Sequence, residues 1–510
     1  NSDNLHRYVT PSAGSSSINY AFYVSRGYVL FVPDIPYTTG EPGISCANAV
    51  LPGVQSIVDM GFVDPDRIGV QGHSWGGYQI AYLVTMSNVF ACAESGAPEF
   101  FYRDGQLHCE QVAIAGLVER FGSPLYVYSQ AAMRQRVQSV RAAFGDEAHI
   151  CYAVKANSNL SVLQLLYEQG CGFDLVSGGE LARLQAAGLP TNQAVFAGAG
   201  KQPWEIEAAV SAGLLFFNVE SPSELPLLAA AGAAAKQPIQ VALRLNPNVE
   251  AGTHAYISTG KDENKFGVAI DRAGDVVAQI VADPWLELVG YHVHLGSQLR
   301  SAAPYSEALD RVLAFVDRDP ARGEGIRYYD LGGGFGIRYG GGAPLDVAEV
   351  ADCLMPRLLE RSWRPVVEPG RYLVGDAGVL VTSVIGEKSQ GSSEFLLVDA
   401  AMNDLIRPAL YQAWHDVLPV KTQRDAAMTT WQIVGPICES GDFLAKDRQL
   451  SIEQGDLLAV ISAGAYGMVQ ASNYNSRGRP CEILVDGDTF SVIRRRETIS
   501  DQLRLEREQL

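Results

Sequence analysis

Between residues 149 and 370 the chain repeats one pattern: a short β-rich run, a small or polar turn, and a stretch of helical periodicity rich in Ala, Leu and Glu. Eight alternating β/α units of this size predict a TIM (β/α)8 barrel. A doubly wound parallel sheet is the alternative, but such a sheet more usually has about five or six strands. The eight runs are residues 149–156, 172–177, 194–198, 216–221, 240–247, 286–296, 328–335 and 364–370.

Composition and charge narrow the class of protein. The 510 residues are 47% hydrophobic and 19% charged, which predicts a large buried core in two or three domains. A net charge of −18 disfavours nucleic acid and anionic membranes as partners, so the expected ligands are small molecules. The eight cysteines form no C-x-x-C pair, which disfavours metal sites and disulfide frameworks and favours a cytoplasmic location. Neither a membrane span nor a signal peptide is predicted.

The first run contains a single lysine, Lys155. It follows the apolar sequence Cys-Tyr-Ala-Val and lies at the start of a turn of small residues. Such a lysine is suited to losing its proton and attacking a carbonyl group. A surface lysine at the end of a strand is the plain alternative. Because chemistry in a TIM barrel gathers at the carboxyl ends of the strands, the other strand ends decide between these two interpretations.

Those other ends are rich in groups that bind a planar phosphate ester. The glycines at 332–334 let backbone N–H groups approach a phosphate before a helix, and Ser297 adds a hydroxyl. His294 offers a flat ring, as does His292 two positions earlier. Together with Lys155 they predict a site for pyridoxal 5'-phosphate (PLP). The strand-end residues assigned to the cofactor are Lys155, Asp174, Arg244, His294, Ser297, Gly332, Gly333, Gly334 and Glu368.

Glu368, which ends the eighth run, indicates the type of reaction. A carboxylate beside the pyridine nitrogen of PLP keeps that nitrogen protonated, so the ring can withdraw electrons from the substrate. An arginine in its place would favour proton exchange, as in racemases. The glutamate therefore favours decarboxylation, although an isolated Glu-Pro-Gly-Arg is more often a solvated strand end.

Five motifs carry a family resemblance: Y-A-V-K-A-N at 152–157, F-D-L-V-S-G-G-E-L at 173–181, H-L-G-S-Q-L at 294–299, D-L-G-G-G-F-G at 330–336 and E-P-G-R at 368–371. With these motifs the chain, from about residue 101 to 510, closely resembles the diaminopimelate decarboxylases. They belong to the alanine racemase-like, fold type III PLP enzymes. The resemblance implies a barrel at 128–375 and a β domain formed by 99–127 and 376–510.

The same resemblance assigns further site residues. It implies that Arg407 and Tyr411 hold carboxylates of the substrate, and that Tyr466 reaches the cofactor phosphate and lies at the substrate site. Arg371 would bind either the phosphate or a substrate carboxylate. Cys438 and Glu439 match a segment lent across a homodimer interface, where the cysteine protonates the carbanion and the glutamate binds the distal amino group. A cysteine can do this, because its ordinary pKa of about 8.5 leaves the thiol largely protonated near neutral pH.

Residues 1–98 carry a different motif, Gly72-His73-Ser74-Trp75-Gly76, between a predicted strand and helix. This is the context of a nucleophile elbow, and the piece resembles prolyl oligopeptidase-type serine peptidases. We expect a truncated α/β-hydrolase piece without activity, because every histidine after His73 lies in the decarboxylase-like part and a serine without its base is a weak nucleophile. A binding or dimer-blocking appendage is an alternative role.

The sequence thus predicts a PLP-dependent decarboxylase that converts meso-2,6-diaminopimelate to L-lysine in lysine biosynthesis. Two alternatives stay open at this point. One is a decarboxylase of the same fold acting on ornithine or arginine, which Arg407 and Glu439 disfavour because ornithine has no second carboxylate. The other is a serine hydrolase activity of Ser74.

Overall fold

The computed structural model describes residues 24, 27–36, 38, 42–73, 75–87, 89–96, 100–250, 265–340, 343–422 and 428–507. The chain divides into two compact units, Asn1–Phe101 and Tyr102–Leu510. In the described residues, no helix has both the length and the apolar character needed to cross a membrane.

The first unit contains a small parallel β-α-β arrangement. Its elements are helix α1 (Pro42–Asp59), strand β1 (Gly69–His73), helix α2 (Trp75–Met86) and strand β2 (Cys92–Gly96). Strands β1 and β2 pair in parallel, as a strand-helix-strand crossover requires. Its core is a small cluster of buried residues from the two helices: Cys46, Ala47, Val50, Val54 and Leu83. Ser74, the predicted nucleophile, lies outside the described residues.

Short elements lead into the barrel of the second unit. The first of them, β3 (Phe100–Arg103), spans the boundary between the two units. It is followed by β4 (Gln106–Cys109), β5 (Val112–Ala113), helix α3 (Ile114–Phe121), β6 (Leu125–Ser129) and helix α4 (Gln130–Phe144). Ser129 ends β6 and caps α4, since its hydroxyl accepts a hydrogen bond from the Ala132 amide at 3.0 Å.

Eight parallel strands then close into a barrel. Strand β7 pairs with β8 and β15, and the pairing of β10 with β11 closes the ring. This closure confirms the predicted TIM barrel and excludes a doubly wound sheet, which has two free edges. The barrel strands are β7 (His149–Ala153), β8 (Gly172–Leu175), β9 (Ala194–Phe196), β10 (Phe216–Val219), β11 (Ile239–Asn246), β13 (Leu286–His292), β14 (Tyr328–Asp330) and β15 (Arg364–Val367), with β12 (Val268–Ala269) paired outside to β11.

Helices surround the barrel. Three of them begin after a residue whose side chain caps the helix N-terminus. Asn159, Ser177 and Asp346 each accept a hydrogen bond from an amide of the first turn that follows. The helices are α5 (Leu160–Glu168), α6 (Gly178–Ala186), α7 (Pro203–Ser211), α8 (Leu225–Ala235), α9 (Ala273–Ala282), α10 (Ala303–Asp317), α11 (Val347–Glu360) and the short α12 (Arg371–Val374).

A mostly antiparallel sheet follows the barrel, in the order β20-β19-β17-β16-β6-β22-β23. Strand β6 lies between β16 and β22, so the chain enters this sheet before the barrel and returns to it afterwards. The remaining elements are β16 (Gly378–Gln390), β17 (Ser393–Val398), helix α13 (Arg407–Tyr411), β18 (Val417–Pro419), β19 (Thr429–Val434), β20 (Phe443–Leu450), β21 (Leu457–Val460), β22 (Cys481–Asp486), β23 (Thr489–Arg494) and helix α14 (Ile499–Arg507).

The domain bounds predicted from the sequence remain a proposal, with one adjustment. A boundary between residues 127 and 128 would cut β6, which runs to Ser129 within the β sheet. We therefore propose that the barrel begins at α4. The proposed first piece, residues 1–98, is close to the compact unit of residues 1–101.

The β domain meets the barrel through close backbone contacts around Gly464. The Gly464 amide donates to the Gly375 carbonyl at 3.0 Å, and the Tyr466 amide donates to the Ala156 carbonyl at 2.8 Å. A Cβ atom on Gly464 would lie 1.9 Å from the Val374 oxygen. Only glycine permits this approach, which brings Tyr466 beside the turn that carries Lys155.

Replacing Gly464 with alanine is therefore expected to destabilise the barrel-containing unit by about 1–3 kcal/mol, because the backbone must move apart. Thermal unfolding followed by circular dichroism measures this effect. Gly386→Ala is the matched control, since Gly386 lies in β16 with no atom within 4 Å of an added Cβ. Equal unfolding temperatures for the two variants would contradict the expectation.

Candidate active site

Lys155 lies in a 3-10 turn, Val154–Ala156, directly after β7. Its Nζ atom is 2.7 Å from Oδ2 of Asp174 on the neighbouring strand β8. Burial alone would lower the pKa of Lys155, but the carboxylates of Asp174 and Glu368 outweigh it and hold the pKa above its ordinary value. The amine is thus a cation paired with a buried carboxylate at the carboxyl end of the barrel, whereas a surface lysine at a strand end would have water as its partner.

Glu368 lies at the centre of a buried polar cluster. One of its oxygens is 3.4 Å from His292 Nε2 and the other is 3.4 Å from the Asn218 amide nitrogen. Asn218 also lies 3.4 Å from Asp330. Burial alone would raise the pKa of Glu368, but His292, Lys155 and Asp330 hold it below its ordinary value. Glu368 is therefore the ionised carboxylate of this cluster.

Asp330 is the protonated partner of that carboxylate. Complete burial and the negative charge of Glu368 raise the pKa of Asp330 well above its ordinary value. One Asp330 oxygen accepts a hydrogen bond from the Gly332 amide at 2.9 Å, and the other lies 3.4 Å from the Asn218 amide nitrogen. Ligand atoms of His292, Asp330 and Glu368 all lie within 4.8 Å of one another. Two carboxyl groups this close in a buried site do not both ionise readily.

The two histidines of β13 and the loop after it have different surroundings. His292 is 1% exposed and faces Glu368. His294 is half-buried, and its Nδ1 atom accepts a hydrogen bond from the Gly333 amide at 3.2 Å. Burial lowers the pKa of His294 well below its ordinary value, and Arg244 and Lys155 lower it further. His294 is thus the neutral ring with an accessible face, which the sequence did not decide.

The glycines at 332–334 are required by close packing. An added Cβ would lie 2.5 Å from the Val293 oxygen at Gly332, 2.1 Å from the Glu368 oxygen at Gly333, and 2.2 Å from the Gly296 oxygen at Gly334. Two of the three amides already donate within the chain, those of Gly332 and Gly333. The sequence predicts that backbone N–H groups of this loop approach a phosphate, and that assignment stays a prediction.

Arg371, the first residue of α12, is buried among neutral groups. Its guanidinium donates to the Tyr339 hydroxyl at 2.8 Å and to the Ser297 hydroxyl at 3.0 Å. It also lies over the Tyr466 ring, 4.8 Å from the ring centre. Among the described residues its Nε atom has no hydrogen-bond partner. The full positive charge of Arg371 is therefore available to an anion.

Arg407, the first residue of α13, is a second buried cation whose hydrogen-bond partner among the described residues is neutral. It is 6% exposed, contacts His415 Nε2 at 2.8 Å and lies 4.6 Å from the centre of the Tyr339 ring. Tyr411 ends the same short helix and contributes to the electrostatic surroundings of Arg407 and Arg371. The structure thus gathers both arginines around Tyr339.

Arg244 differs from these two arginines because its charge is already paired. Its Nη1 atom is 2.7 Å from the Glu220 carboxylate, and both side chains are buried. Its guanidinium also lies 4.8 Å from the centre of the Phe266 ring. Arg244 was predicted to bind the cofactor, and in the structure its charge is balanced by Glu220.

Cys438 and Glu439 lie in the connection between β19 and β20, and both are exposed. The Cys438 amide donates to the Asn475 side chain at 2.8 Å. In the described part of a single chain, neither residue is hydrogen-bonded to the barrel residues around Lys155. The intrachain contacts therefore do not bring these two predicted residues into the cluster.

Several members of the site escaped the sequence reasoning: Asn218, Glu220, Tyr339 and His415. A signal existed for the first two, because a polar residue inside or just after the apolar run Phe-Phe-Asn-Val of β10 is unusual in a fully buried strand. Tyr339 and His415 lie in connections whose local sequence gives no indication of a partner. Their roles arise only from contacts across the fold.

These residues fit PLP. The glycine-lined loop, the half-open neutral ring of His294, and the unpaired charge of Arg371 match a flat, anionic phosphate ester. Lys155 supplies the amine and Glu368 an ionised carboxylate within the same cluster. Fold and site together define a barrel-type, PLP-dependent decarboxylase.

Comparisons with known proteins give the family. The model of the family described as "Pyridoxal-dependent decarboxylase, pyridoxal binding domain" matches residues 130–375. A diaminopimelate decarboxylase of Pseudomonas fluorescens is 51% identical over 79% of this chain and 97% of its own length. One from Vibrio cholerae is 46% identical over 80% of this chain and 98% of its own. The chain belongs to the diaminopimelate decarboxylases, a family of lyases.

A solved structure agrees with this assignment. The diaminopimelate decarboxylase of Helicobacter pylori, complexed with L-lysine, aligns with a TM-score of 0.74 at 38% identity, over 78% of this chain and 100% of its own. The model of the prolyl oligopeptidase family matches residues 15–104, which fits the resemblance seen in the first unit.

We expect Asp330→Asn to be tolerated and Asp330→Ala to be damaging. Asparagine keeps an acceptor for the Gly332 amide and an N–H donor toward Glu368, whereas alanine leaves the buried Gly332 amide without its acceptor, at about 1–3 kcal/mol, and removes one partner of Glu368. Thermal unfolding and PLP titration of the two variants measure this difference. Equal losses for both variants would show that Asp330 acts as a second carboxylate instead.

A pH effect is expected from Glu180 in the first turn of α6. Burial and the nearby Asp174 raise the pKa of Glu180 to about 7, although the Val176 amide opposes them. The ordinary glutamate pKa is about 4.3. The protonated Glu180 side chain therefore contributes fully to the free energy of unfolding below that pH, and this contribution is lost as the pH rises through 7. Glu180→Gln should remove this loss.

The unfolding temperature of the natural protein should therefore fall relative to Glu180→Gln between pH 5 and pH 8. Glu168→Gln, at an exposed position of α5, is the control and should parallel the natural protein. If the curves for Glu180→Gln and the natural protein ran parallel, the raised pKa would be wrong.

Proposed function

We propose that this chain removes carbon dioxide from meso-2,6-diaminopimelate and releases L-lysine, as the closing step of lysine biosynthesis. The observation that carries the proposal is the segregation of buried charge in the site. Carboxyl groups cluster around Lys155, while Arg371 and Arg407 keep uncancelled positive charge around Tyr339. A substrate with an amine at the reacting carbon and a carboxylate at the far end suits both clusters.

Bound PLP would supply the electron sink for the pair of electrons left on the α-carbon when carbon dioxide departs. Lys155 would hold the cofactor, and Glu368, kept ionised by its neighbours, would hold a proton on the pyridine nitrogen. His294 would lie against the ring, and the loop of Gly332–Gly334 would bind the phosphate together with Ser297.

The sequence left two ligands open for Arg371, the cofactor phosphate and a substrate carboxylate. Of these two we favour the phosphate. Arg371 donates to Ser297 and lies over Tyr466, and both of these residues are assigned to the phosphate. Asp174, which holds the Lys155 amine, and Arg244, whose charge is balanced by Glu220, would support the cofactor site from β8 and β11.

Recognition of the far end of the substrate would fall to Arg407 and Tyr411. The guanidinium of Arg407 is buried with a neutral partner, so a substrate carboxylate would find an unpaired charge in a site of low water content. Ornithine lacks this second carboxylate and would leave Arg407 buried without a counter-ion, which is costly. This argues against an ornithine or arginine decarboxylase.

Reprotonation of the carbanion would require Cys438, with Glu439 binding the distal amino group. Both residues are exposed in the single chain and lack hydrogen bonds to the Lys155 cluster there. A homodimer in which each subunit lends this connection to the partner's site would resolve both facts. We place the enzyme in the cytoplasm, where its seven described cysteines, all free, would stay reduced.

The central test of this proposal is an absorbance spectrum of the protein with PLP, before and after borohydride, followed by carbon dioxide release. In the natural protein, reduction should leave a stable mass increase from PLP on the peptide that contains position 155. Lys155→Ala should abolish this mass increase, whereas Lys388→Ala, at an exposed position, should keep it. Turnover is expected with diaminopimelate and not with ornithine. Turnover of ornithine at a comparable kcat/KM would reject the assigned substrate.

Arg407→Met should raise KM for diaminopimelate by about 10- to 100-fold, which corresponds to the loss of one hydrogen bond to a charged group. The value of kcat should change much less, because the carboxylate is bound equally before and during the reaction. Steady-state kinetics separate the two constants, with the exposed Arg504→Met as the control. An unchanged KM would remove Arg407 from the substrate site.

A further inference from the structure

His415 is a completely buried histidine that the proposed reaction does not use. Both ring nitrogens have partners: Nδ1 lies 2.8 Å from the Ile461 carbonyl oxygen, and Nε2 lies 2.8 Å from Nη1 of Arg407. A carbonyl can only accept a hydrogen bond, so Nδ1 carries the proton. A guanidinium can only donate, so Nε2 is the bare acceptor. These two partners fix one neutral tautomer.

The charges around His415 favour the same state. Burial lowers the pKa of His415 to about 3, and the guanidinium groups of Arg407, Arg371 and Arg448 contribute to the lowering, although the hydrogen bond to Ile461 opposes them. The Tyr339 ring packs edge-on against the imidazole with ring centres 5.2 Å apart. His415 is therefore neutral at every pH at which the enzyme would be assayed.

A neutral hydrogen-bond acceptor and a carboxylate would affect the charge of Arg407 differently. Either group would fix the direction of the Arg407 guanidinium, but a carboxylate would also cancel its charge. The pair of Arg244 and Glu220 in the barrel, at 2.7 Å, illustrates the cancelled case. With His415 as partner, Arg407 is oriented by a hydrogen bond and keeps its full attraction for an incoming anion.

We propose that His415 is a positioning residue for substrate selection, which aims Arg407 at the distal carboxylate while leaving the arginine charge unpaired. The inference rests on the proposed role of Arg407 in binding that carboxylate. It assigns selectivity to a pair, Arg407 with His415, in which the histidine never touches the substrate.

Three variants separate orientation from charge. His415→Gln offers a neutral acceptor, His415→Leu offers none, and His415→Glu offers an acceptor that carries a negative charge. Binding is read from competitive inhibition of the PLP-loaded enzyme by L-lysine and by 1,5-diaminopentane, which is L-lysine without its carboxylate. Thermal unfolding and PLP content are measured for every variant, with His149→Gln, at the opposite end of the barrel strands, as the matched control.

For His415→Leu and His415→Glu we expect weaker inhibition by L-lysine, by about 10-fold or more, as for the loss of a charge-assisted hydrogen bond. Inhibition by 1,5-diaminopentane should stay within about threefold of the natural enzyme, and so should kcat for diaminopimelate. His415→Gln should stay close to the natural enzyme for both inhibitors. If His415→Glu does not fold, the comparison of leucine with glutamine decides.

Two results would overturn this inference and leave the proposed function intact. One is unchanged L-lysine inhibition in His415→Leu and His415→Glu while Arg407→Met weakens it. The other is an equal loss for both inhibitors in the His415 variants, which would mark a purely structural role. If Arg407→Met itself left L-lysine inhibition unchanged, the proposed carboxylate site would fail, and the inference with it.

Discussion

Uncompensated charge buried at the carboxyl end of the barrel and in the adjoining β domain is the constraint on which the site depends. Burying an ion is costly unless it is paired or hydrogen-bonded, yet Arg371 and Arg407 are buried with neutral partners. The fold tolerates this because hydroxyl groups and a neutral imidazole accept from the terminal guanidinium nitrogens, and aromatic faces pack against both groups, without cancelling their charge. The stored positive charge is what an anionic ligand would neutralise on binding.

In the cluster of carboxyl groups around Lys155, by contrast, neighbouring groups compensate the buried charge. Glu368 is ionised because His292, Lys155 and Asp330 surround it, and Asp330 is protonated because Glu368 is ionised. Each pKa depends on the charge of its neighbour, so the two carboxyl groups titrate as a pair. Charge in this site is therefore a property of the cluster, held in place by the ends of four barrel strands, β7, β13, β14 and β15.

Close backbone packing gives this cluster its rigidity. The glycines at 332–334 and Gly464 sit where an added methyl group would lie at about van der Waals overlap with carbonyl oxygens of neighbouring segments. The first brings the loop after β14 against the ends of β13 and β15. The second brings the β domain, with Tyr466, against the Lys155 turn. Polar groups from distant parts of the chain are thereby held at hydrogen-bonding distance.

The sequence by itself determined the barrel, the approximate positions of its eight strands, and most of the residues at their carboxyl ends. It could do so because strand periodicity and strand-end chemistry are local, and because Lys155, Gly332–Gly334 and Glu368 lie within short, characteristic motifs. The residue assigned to each strand end then followed from the topology of the fold class.

The tertiary structure alone decided the partners. Three pairings depend on contacts between segments far apart in the chain. His292 faces Glu368 while His294 keeps an accessible face, Glu220 balances Arg244, and His415 contacts Arg407. Protonation states follow from those contacts and from burial, neither of which is written in local sequence. A motif places a side chain at a strand end, but only the packed fold determines which charge it meets there.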